Sequence, residues 1–147
     1  SPSRGLGDVY KRQTESGEIE GKKGAKVAVD ATTADASAAD YDALILPGGT
    51  VNSDTIRTDA DAVALVKEFN SASKPIGVIC HGGWILTDAD LINGVKLTSV
   101  ANVKTDLINA GANWVDEEVV VDSGFISSRT PDDLPAFNAA LVEEFAK

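Results

Sequence analysis

The residues most able to do chemistry stand side by side: Cys80 and His81 are the only cysteine and the only histidine of the chain. A cysteine thiolate is a strong nucleophile, and an imidazole can take up or return its proton near neutral pH. A histidine serves as a base only when another group orients its ring. The pair predicts nucleophilic catalysis by Cys80, with His81 as its proton partner.

The residues around Cys80 predict how its side chain is presented. The apolar run Pro75–Ile79 is typical of a buried strand, and Gly82 and Gly83 precede a short helix. A cysteine between a buried strand and a helix start has the arrangement of a nucleophile elbow, whose sharp turn needs glycine nearby. The positive end of the helix favours the thiolate over the thiol. The alternative is an inert cysteine, because free cysteine is among the most buried residue types.

A second loop is predicted to reach the same place. The run Ala43–Leu46 ends at Pro47-Gly48-Gly49, as expected for a buried parallel strand that enters a sharp turn. Sites in open α/β sheets lie at the carboxyl ends of the strands. The backbone N–H groups of Gly49 and His81 are therefore candidate donors to an oxyanion.

The wider pattern predicts an α/β domain. Strand and helix patterns alternate along the chain, which favours a mostly parallel sheet covered by helices. Strands are predicted at 26–30, 43–46, 75–79, 95–98, 114–121 and 125–128. Helices are predicted at 59–73, 84–89 and 101–110, and from 130 onward.

The last helix has a clear start pattern. Thr130 is a preferred N-cap, Pro131 suits the first helical position, and Asp133 completes a Thr-x-x-Asp capping box. Four apolar side chains then recur at helical spacing and predict one buried face: Leu134, Phe137, Leu141 and Phe145.

Composition and charge exclude several classes of function. The chain has 147 residues, with 13 Lys and Arg against 23 Asp and Glu and a net charge of −10. We expect no nucleic-acid or membrane partner, because clustered positive charge and a run of about 18 apolar residues are both missing. We expect no metal or nucleotide cofactor, because there is no Cys/His cluster and no glycine-rich phosphate motif. The lone cysteine cannot form an internal disulfide, which favours a reducing, cytoplasmic location.

Several motifs together resemble the ThiJ/PfpI family. Leu44–Gly49 and Gly77–Gly82 are similar to its two site loops. Trp114–Asp122, Ser127–Arg129 and Pro131–Leu134 resemble its PfpI branch of intracellular cysteine peptidases. The linked set is specific, whereas a Pro-Gly-Gly turn alone would not be.

The resemblance implies a flavodoxin-like three-layer sandwich, similar to the class I glutamine amidotransferases. It implies Cys80 as nucleophile, His81 as its partner, and the N–H groups of Gly49 and His81 as oxyanion donors. In peptidase-like members an acidic residue soon after the Pro-Gly-Gly turn reaches the histidine of a neighbouring subunit. Asp54 matches that residue by position, and a cap on the following helix is the alternative. A homo-oligomer, either a dimer or a hexamer, is therefore implied.

Two further residues at this sheet edge are predicted to bind substrate. Gly48 lies in the first loop, and Arg129 ends the last strand, where it could hold a carboxylate or phosphate. A salt bridge with the acidic surface is the alternative use of Arg129.

The N-terminus departs from the family pattern. Residues 1–13 match neither the family's first strand and helix nor its Glu-bearing loop, and the sequence contains no Met. We expect a disordered, non-family leader at 1–13, followed by a domain at 14–147 that is truncated at its N-terminus. The missing strand would be interior to the sheet, and each buried backbone group left unpaired costs about 1–3 kcal/mol.

These observations predict a PfpI-type cysteine hydrolase. The substrate would be a peptide bond or, for a glyoxalase or deglycase, a small oxoaldehyde or its adduct. Two alternatives remain open: a non-catalytic redox or stress-response module in which Cys80 is oxidised reversibly, and an inactive fragment.

Overall fold

A computed structural model of the protein describes residues 32–147 in full and residues 18–20 and 26–28 as backbone. The predicted leader at residues 1–13 lies outside the described residues. The described part contains these strands: β1 Glu18–Glu20, β2 Lys26–Ala28, β3 Leu44–Leu46, β4 Ile76–Ile79, β5 Lys96–Leu97, β6 Asn113–Trp114, β7 Val120–Asp122 and β8 Phe125–Ser128. Its α-helices are α1 Thr50–Ile56, α2 Ala60–Ser71, α3 Trp84–Asp88, α4 Lys104–Asn109 and α5 Leu134–Phe145. None of the described helices is long and apolar enough to cross a membrane.

The central sheet has the strand order β3-β4-β8-β7. Strands β3, β4 and β8 are parallel, and β7 is antiparallel to β8. The predicted α/β fold with a mostly parallel sheet is therefore confirmed. In this register Leu46 faces Val78, and Ile79 faces Ser128, so the loops after β3, β4 and β8 leave the same edge of the sheet. Two smaller sheets are the antiparallel pair β1-β2 and the parallel pair β5-β6.

The core lies on both faces of the central sheet, because successive strand residues point to opposite faces. On one face, Ile76 and Val78 of β4 belong to the same apolar cluster as Phe69 of α2. On the other, Ile79 packs with Phe137 of α5. Two helical layers thus cover one sheet, which holds the end of β4 in place.

One predicted strand, residues 114–121, is wrong as a single element. Trp114 belongs to β6, which pairs with β5, whereas Val120 belongs to β7, which pairs with β8. The chain passes between the two sheets through an exposed acidic segment, residues 116–118. Its backbone is held by side-chain contacts, such as the one in which the Ser128 hydroxyl donates to the Glu118 carbonyl at 2.6 Å. Local strand pattern cannot detect such a change of sheet.

The start of the last helix also differs from the prediction. A 3-10 turn, Pro131–Asp133, precedes α5, and the Thr130 side chain makes no capping hydrogen bond. The predicted capping box is therefore wrong, because the Asp133 carboxylate instead accepts the N–H of Arg129 at 3.0 Å. Of the predicted buried face, Phe137 is buried, but Leu134 is 39% exposed because it begins the helix beside this turn.

Candidate active site

Cys80 lies at the point where β4 gives way to a 3-10 turn, Cys80–Gly83, that continues into α3. Its φ of +62° is in the left-handed region, which residues other than glycine rarely adopt. The turn also packs closely on β3, because a Cβ at Gly82 would stand 2.7 Å from the carbonyl oxygen of Leu46. The predicted sharp strand-to-helix turn is confirmed, and glycine at 82 is what lets it form.

The two predicted loops meet at this cysteine. A Cβ on Gly48 would lie 2.6 Å from Cys80 Cβ and 3.3 Å from its Sγ. Only glycine allows the first loop so close to the thiol. Gly49 follows with a φ of +92° and forms the N-cap of α1. Cys80 remains half-buried, which argues against the alternative of a fully buried, inert side chain.

Cys80 and His81 are in contact although they are neighbours in sequence. The Cys80 Sγ atom is 3.3 Å from the Nδ1 atom of His81. Side chains of adjacent residues ordinarily diverge, whereas these two meet at a residue with a positive φ. The site therefore has a nucleophile and a proton acceptor within contact distance.

The other nitrogen of the His81 ring has a partner that the sequence did not predict. Its Nε2 atom is 3.4 Å from the Oγ1 atom of Thr50, the first residue of α1. If Nδ1 is to accept the thiol proton, Nε2 must carry the ring hydrogen and donate it to the Thr50 hydroxyl oxygen. Thr50 directly follows the Pro-Gly-Gly turn, and that position is the only signal by which it could have been found.

The N–H groups predicted to bind an oxyanion both lie at helix starts. His81 is in the first turn after β4, and Gly49 is the N-cap of α1. N–H groups at such positions have no partner within their own helix. Both residues belong to the loops that meet at Cys80, so they remain the candidate donors.

Asp54 follows Thr50 by one helical turn on α1. It is an exposed residue in the interior of α1. Its predicted alternative role as a cap is wrong, because α1 begins after Gly49 and the next helix is capped by Asp59. Among the described residues, no hydrogen bond or ion pair joins Asp54 to His81. A catalytic role for Asp54 stays a prediction that needs a second copy of the chain.

Arg129 lies next to the site but is engaged by carboxylates. It follows Ser128, the residue that faces Ile79 in the sheet. Its guanidinium donates to Asp133 at 2.8 and 2.9 Å and to Asp116 at 2.9 Å. These hydrogen bonds lower the pKa of Asp133 and raise the pKa of Arg129. The predicted salt bridge is confirmed, and substrate binding by Arg129 or Gly48 stays a prediction.

A small cavity lies behind the site loops, and the described residues form no cluster of metal ligands. Residues 32–147 contain no group of three or more His, Cys, Asp or Glu side chains that could hold a metal ion. A cavity of about 30 Å³ lies behind the site loops, between β3, α1 and α2. It reaches Pro47, Gly82 and Ser53, and a volume of this size admits about one water molecule.

Fold and site together define an α/β protein with a candidate nucleophilic cysteine at a strand-to-helix turn. Comparison with family models identifies the group: the model of the DJ-1/PfpI family matches residues 7–144, and the chain belongs to this family. The resemblance drawn from the motifs is confirmed, and so is the flavodoxin-like fold. The predicted domain boundary after residue 13 stays a prediction.

Individual relatives agree with this assignment. An uncharacterized protein of Staphylococcus haemolyticus is 49% identical over 133 residues, which cover 89% of this chain and 77% of the relative. A Bacillus subtilis protein named "Putative cysteine protease YraA" is 46% identical over 121 residues, covering 82% of this chain and 71% of the relative. A crystal structure from Anabaena variabilis, with DJ-1/ThiJ/PfpI-like and ferritin-like domains, matches with a TM-score of 0.85 and 34% identity. That match covers 92% of this chain and 40% of the larger protein.

Proposed function

We propose that this protein is a cysteine hydrolase that attacks carbonyl carbons through Cys80. The observation that carries the proposal is the 3.3 Å approach of the Cys80 Sγ atom to His81 Nδ1 at a residue with a φ of +62°. A left-handed residue other than glycine costs about 1 kcal/mol or more, and such strain is concentrated at functional sites. The half-buried thiol also remains open to a substrate.

The first step would form a bond between Cys80 Sγ and the carbonyl carbon. His81 Nδ1 takes the thiol proton, the sulfur electron pair forms the S–C bond, and the carbonyl π electrons move to the oxygen. The resulting oxyanion accepts hydrogen bonds from the N–H groups of Gly49 and His81. The Thr50 hydroxyl accepts the Nε2 hydrogen of the imidazole and so keeps Nδ1 directed at the thiol.

The later steps return the proton. In a peptide substrate the C–N bond breaks, and the leaving amine takes the proton from His81 while a thioester remains on Cys80. Water then attacks the thioester and gives a proton to His81, the C–S bond breaks, and the thiol regains that proton. With an oxoaldehyde, the same S–C bond forms, and the oxyanion then takes the proton from His81 to give a hemithioacetal on Cys80.

Peptide bonds and small oxoaldehydes are the two substrate classes we propose. Both present a carbonyl carbon to the thiolate, and the cysteine-protease name of the Bacillus relative supports the first. A reducing, cytoplasmic location would keep Cys80 in its thiol form.

We also propose that the active assembly is a homo-oligomer. Asp54 and Val51 are exposed on α1, the helix that carries Thr50 into the site. A second copy packed against α1 would bring an Asp54 carboxylate toward His81 of the first copy. Asp54→Asn should then lower turnover, and size-exclusion chromatography should give a mass above that of one chain.

The experiment that tests the proposed function assays casein and methylglyoxal with the wild type, Cys80→Ala and His81→Ala. Turnover by the wild type that disappears in Cys80→Ala supports the proposal. Val142→Ala, a surface change on α5, is the matched control and should keep full activity. Turnover that persists in Cys80→Ala, or its absence from the wild type, would contradict the proposal. If the wild type lacks turnover but its thiol oxidises reversibly, the redox alternative replaces it.

A further inference from the structure

The orientation of the His81 ring is not explained by its hydrogen bonds alone. Its Nδ1 atom contacts Cys80 Sγ at 3.3 Å, and its Nε2 contact with Thr50, at 3.4 Å, is longer than a usual N–H···O hydrogen bond. Thr50 is also exposed, so solvent competes for its hydroxyl. The contact with Thr50 therefore restrains rotation of the ring only weakly.

Trp84, the first residue of α3, supplies a third contact to the ring. The rings of His81 and Trp84 meet edge to face, with centroids 5.3 Å apart and an interplanar angle of 66°. Aromatic pairs prefer this arrangement, since the positive edge of one ring meets the negative face of the other. The indole therefore restricts rotation of the imidazole.

The indole is itself held from two sides by charged groups. Its Nε1–H donates to a carboxylate oxygen of Asp106, on α4, at 2.9 Å. The guanidinium carbon of Arg57, which follows α1, lies 5.3 Å from the ring centroid in a cation–π contact. Arg57 is fixed in turn by Asp88 at 2.7 Å and by Thr87 at 3.3 Å. A residue of α4 and the residue after α1 thus contact the indole and hold its orientation.

We propose that Trp84 is a positioning residue that directs His81 Nδ1 at the Cys80 thiol. The inference rests on the proposed function, because it concerns the same proton transfer. Removal of the indole would free the imidazole, and poor alignment of a proton acceptor lowers the fraction of reactive thiolate. Phenylalanine keeps an aromatic contact with the ring, so Trp84→Phe should rescue most of what Trp84→Ala loses.

The test is the rate at which iodoacetamide alkylates Cys80 in the full chain at pH 7. Cys80 is the only cysteine, so mass spectrometry reports this thiol alone. Trp84→Ala should slow alkylation about tenfold, and Trp84→Phe should stay within about twofold of the wild type. In a His81→Ala background the same Trp84→Ala change should have almost no effect, because the residue acts through His81.

Trp114 provides the matched control. Its indole also has a hydrogen-bond partner, Ser99, and a cation, Lys104, over its ring. Trp114 makes no ring contact with His81, so Trp114→Ala should leave the rate within about twofold. If Trp84→Ala fails to fold, Trp84→Leu serves instead: it keeps a large apolar side chain but no aromatic ring, so it should slow alkylation about tenfold as well.

Two results would overturn the inference. One is an unchanged rate in folded Trp84→Ala, or in folded Trp84→Leu where that variant replaces it. The other is an equal slowing in the wild-type and His81→Ala backgrounds. Failure of the proposed function has a different signature, because the wild type would then turn over neither casein nor methylglyoxal, or Cys80→Ala would keep the turnover.

Discussion

Two groups at the same edge of the sheet are built in opposite ways. The Cys80–His81 pair follows β4, has contacts of 3.3–3.4 Å and contains a left-handed cysteine. The Arg129–Asp133 pair follows β8. The backbone N–H and the guanidinium of Arg129 donate to the Asp133 carboxylate over distances of 2.8–3.0 Å. The first contains a strained cysteine and a long hydrogen bond between His81 and Thr50, as expected of a group that must exchange a proton. The second is short and fully paired, as a structural anchor requires.

The largest expected effect is on turnover, which should depend on Cys80 but not on Asp133. Cys80→Ala should reduce turnover by about 10³-fold or more, because it removes the nucleophile. Asp133→Ala should leave turnover of the folded protein within a few-fold of the wild type. The check is turnover of the substrate that the wild type processes, measured for both variants at a temperature where both are folded. A comparable loss of turnover in both variants would contradict the division into a catalytic pair and a structural pair.

The next effect is on thermal stability, to which we expect the Arg129–Asp133 pair to contribute. Asp133→Ala should lower the melting temperature by roughly 5 °C, since it leaves Arg129 without its paired acceptor. Thermal unfolding followed by circular dichroism measures this change. Asp132→Ala, at an exposed neighbouring carboxylate, is the control and should change the melting temperature little. Equal effects of the two substitutions on the melting temperature would mean that the Arg129–Asp133 hydrogen bonds do not stabilise the fold.

A smaller effect should reveal the strain at the cysteine. Cys80→Gly should be more stable than Cys80→Ala by about 1 kcal/mol, because glycine adopts a positive φ without the steric cost of a Cβ. Urea unfolding of the two variants gives the difference in unfolding free energy. If alanine is equally stable or more stable at this position, the backbone there is not strained in solution.

The smallest expected effect is the loss, at low pH, of the stability that Asp133 contributes. The pKa of Asp133 lies below that of a free carboxyl because Arg129 hydrogen-bonds its charged form. Its folded-state pKa is lower than its unfolded-state pKa, so its stabilisation is complete above about pH 4 and is lost as the pH falls through the folded value. The stability advantage of the wild type over Asp133→Asn should therefore shrink below about pH 4. An advantage that grows as the pH falls would mean that folding raises the pKa of Asp133 and does not lower it.

Much of the fold follows from local sequence pattern. The strands ending at Leu46 and Ile79 are recognisable because each is a short apolar run closed by glycine-containing turns. The strand predicted at 114–121 failed because a change of sheet depends on distant pairing partners. The expected capping box failed because Asp133 found a stronger donor, Arg129, outside the helix.

Only part of the candidate site could be predicted from the sequence. Cys80 and His81 stand together and carry their own chemical signal. Thr50 and Trp84 do not, because their contacts with His81 arise only when separate helices meet around the turn. Their residue types are ordinary, and only three-dimensional proximity gives them a role.

The central claim is that His81 activates the Cys80 thiol. The most direct measurement is the iodoacetamide alkylation rate of Cys80 at pH 7 in the wild type and in His81→Ala, with thermal unfolding as the check on folding. We expect the wild type to react about tenfold faster or more. Equal rates in two folded proteins would contradict the claim.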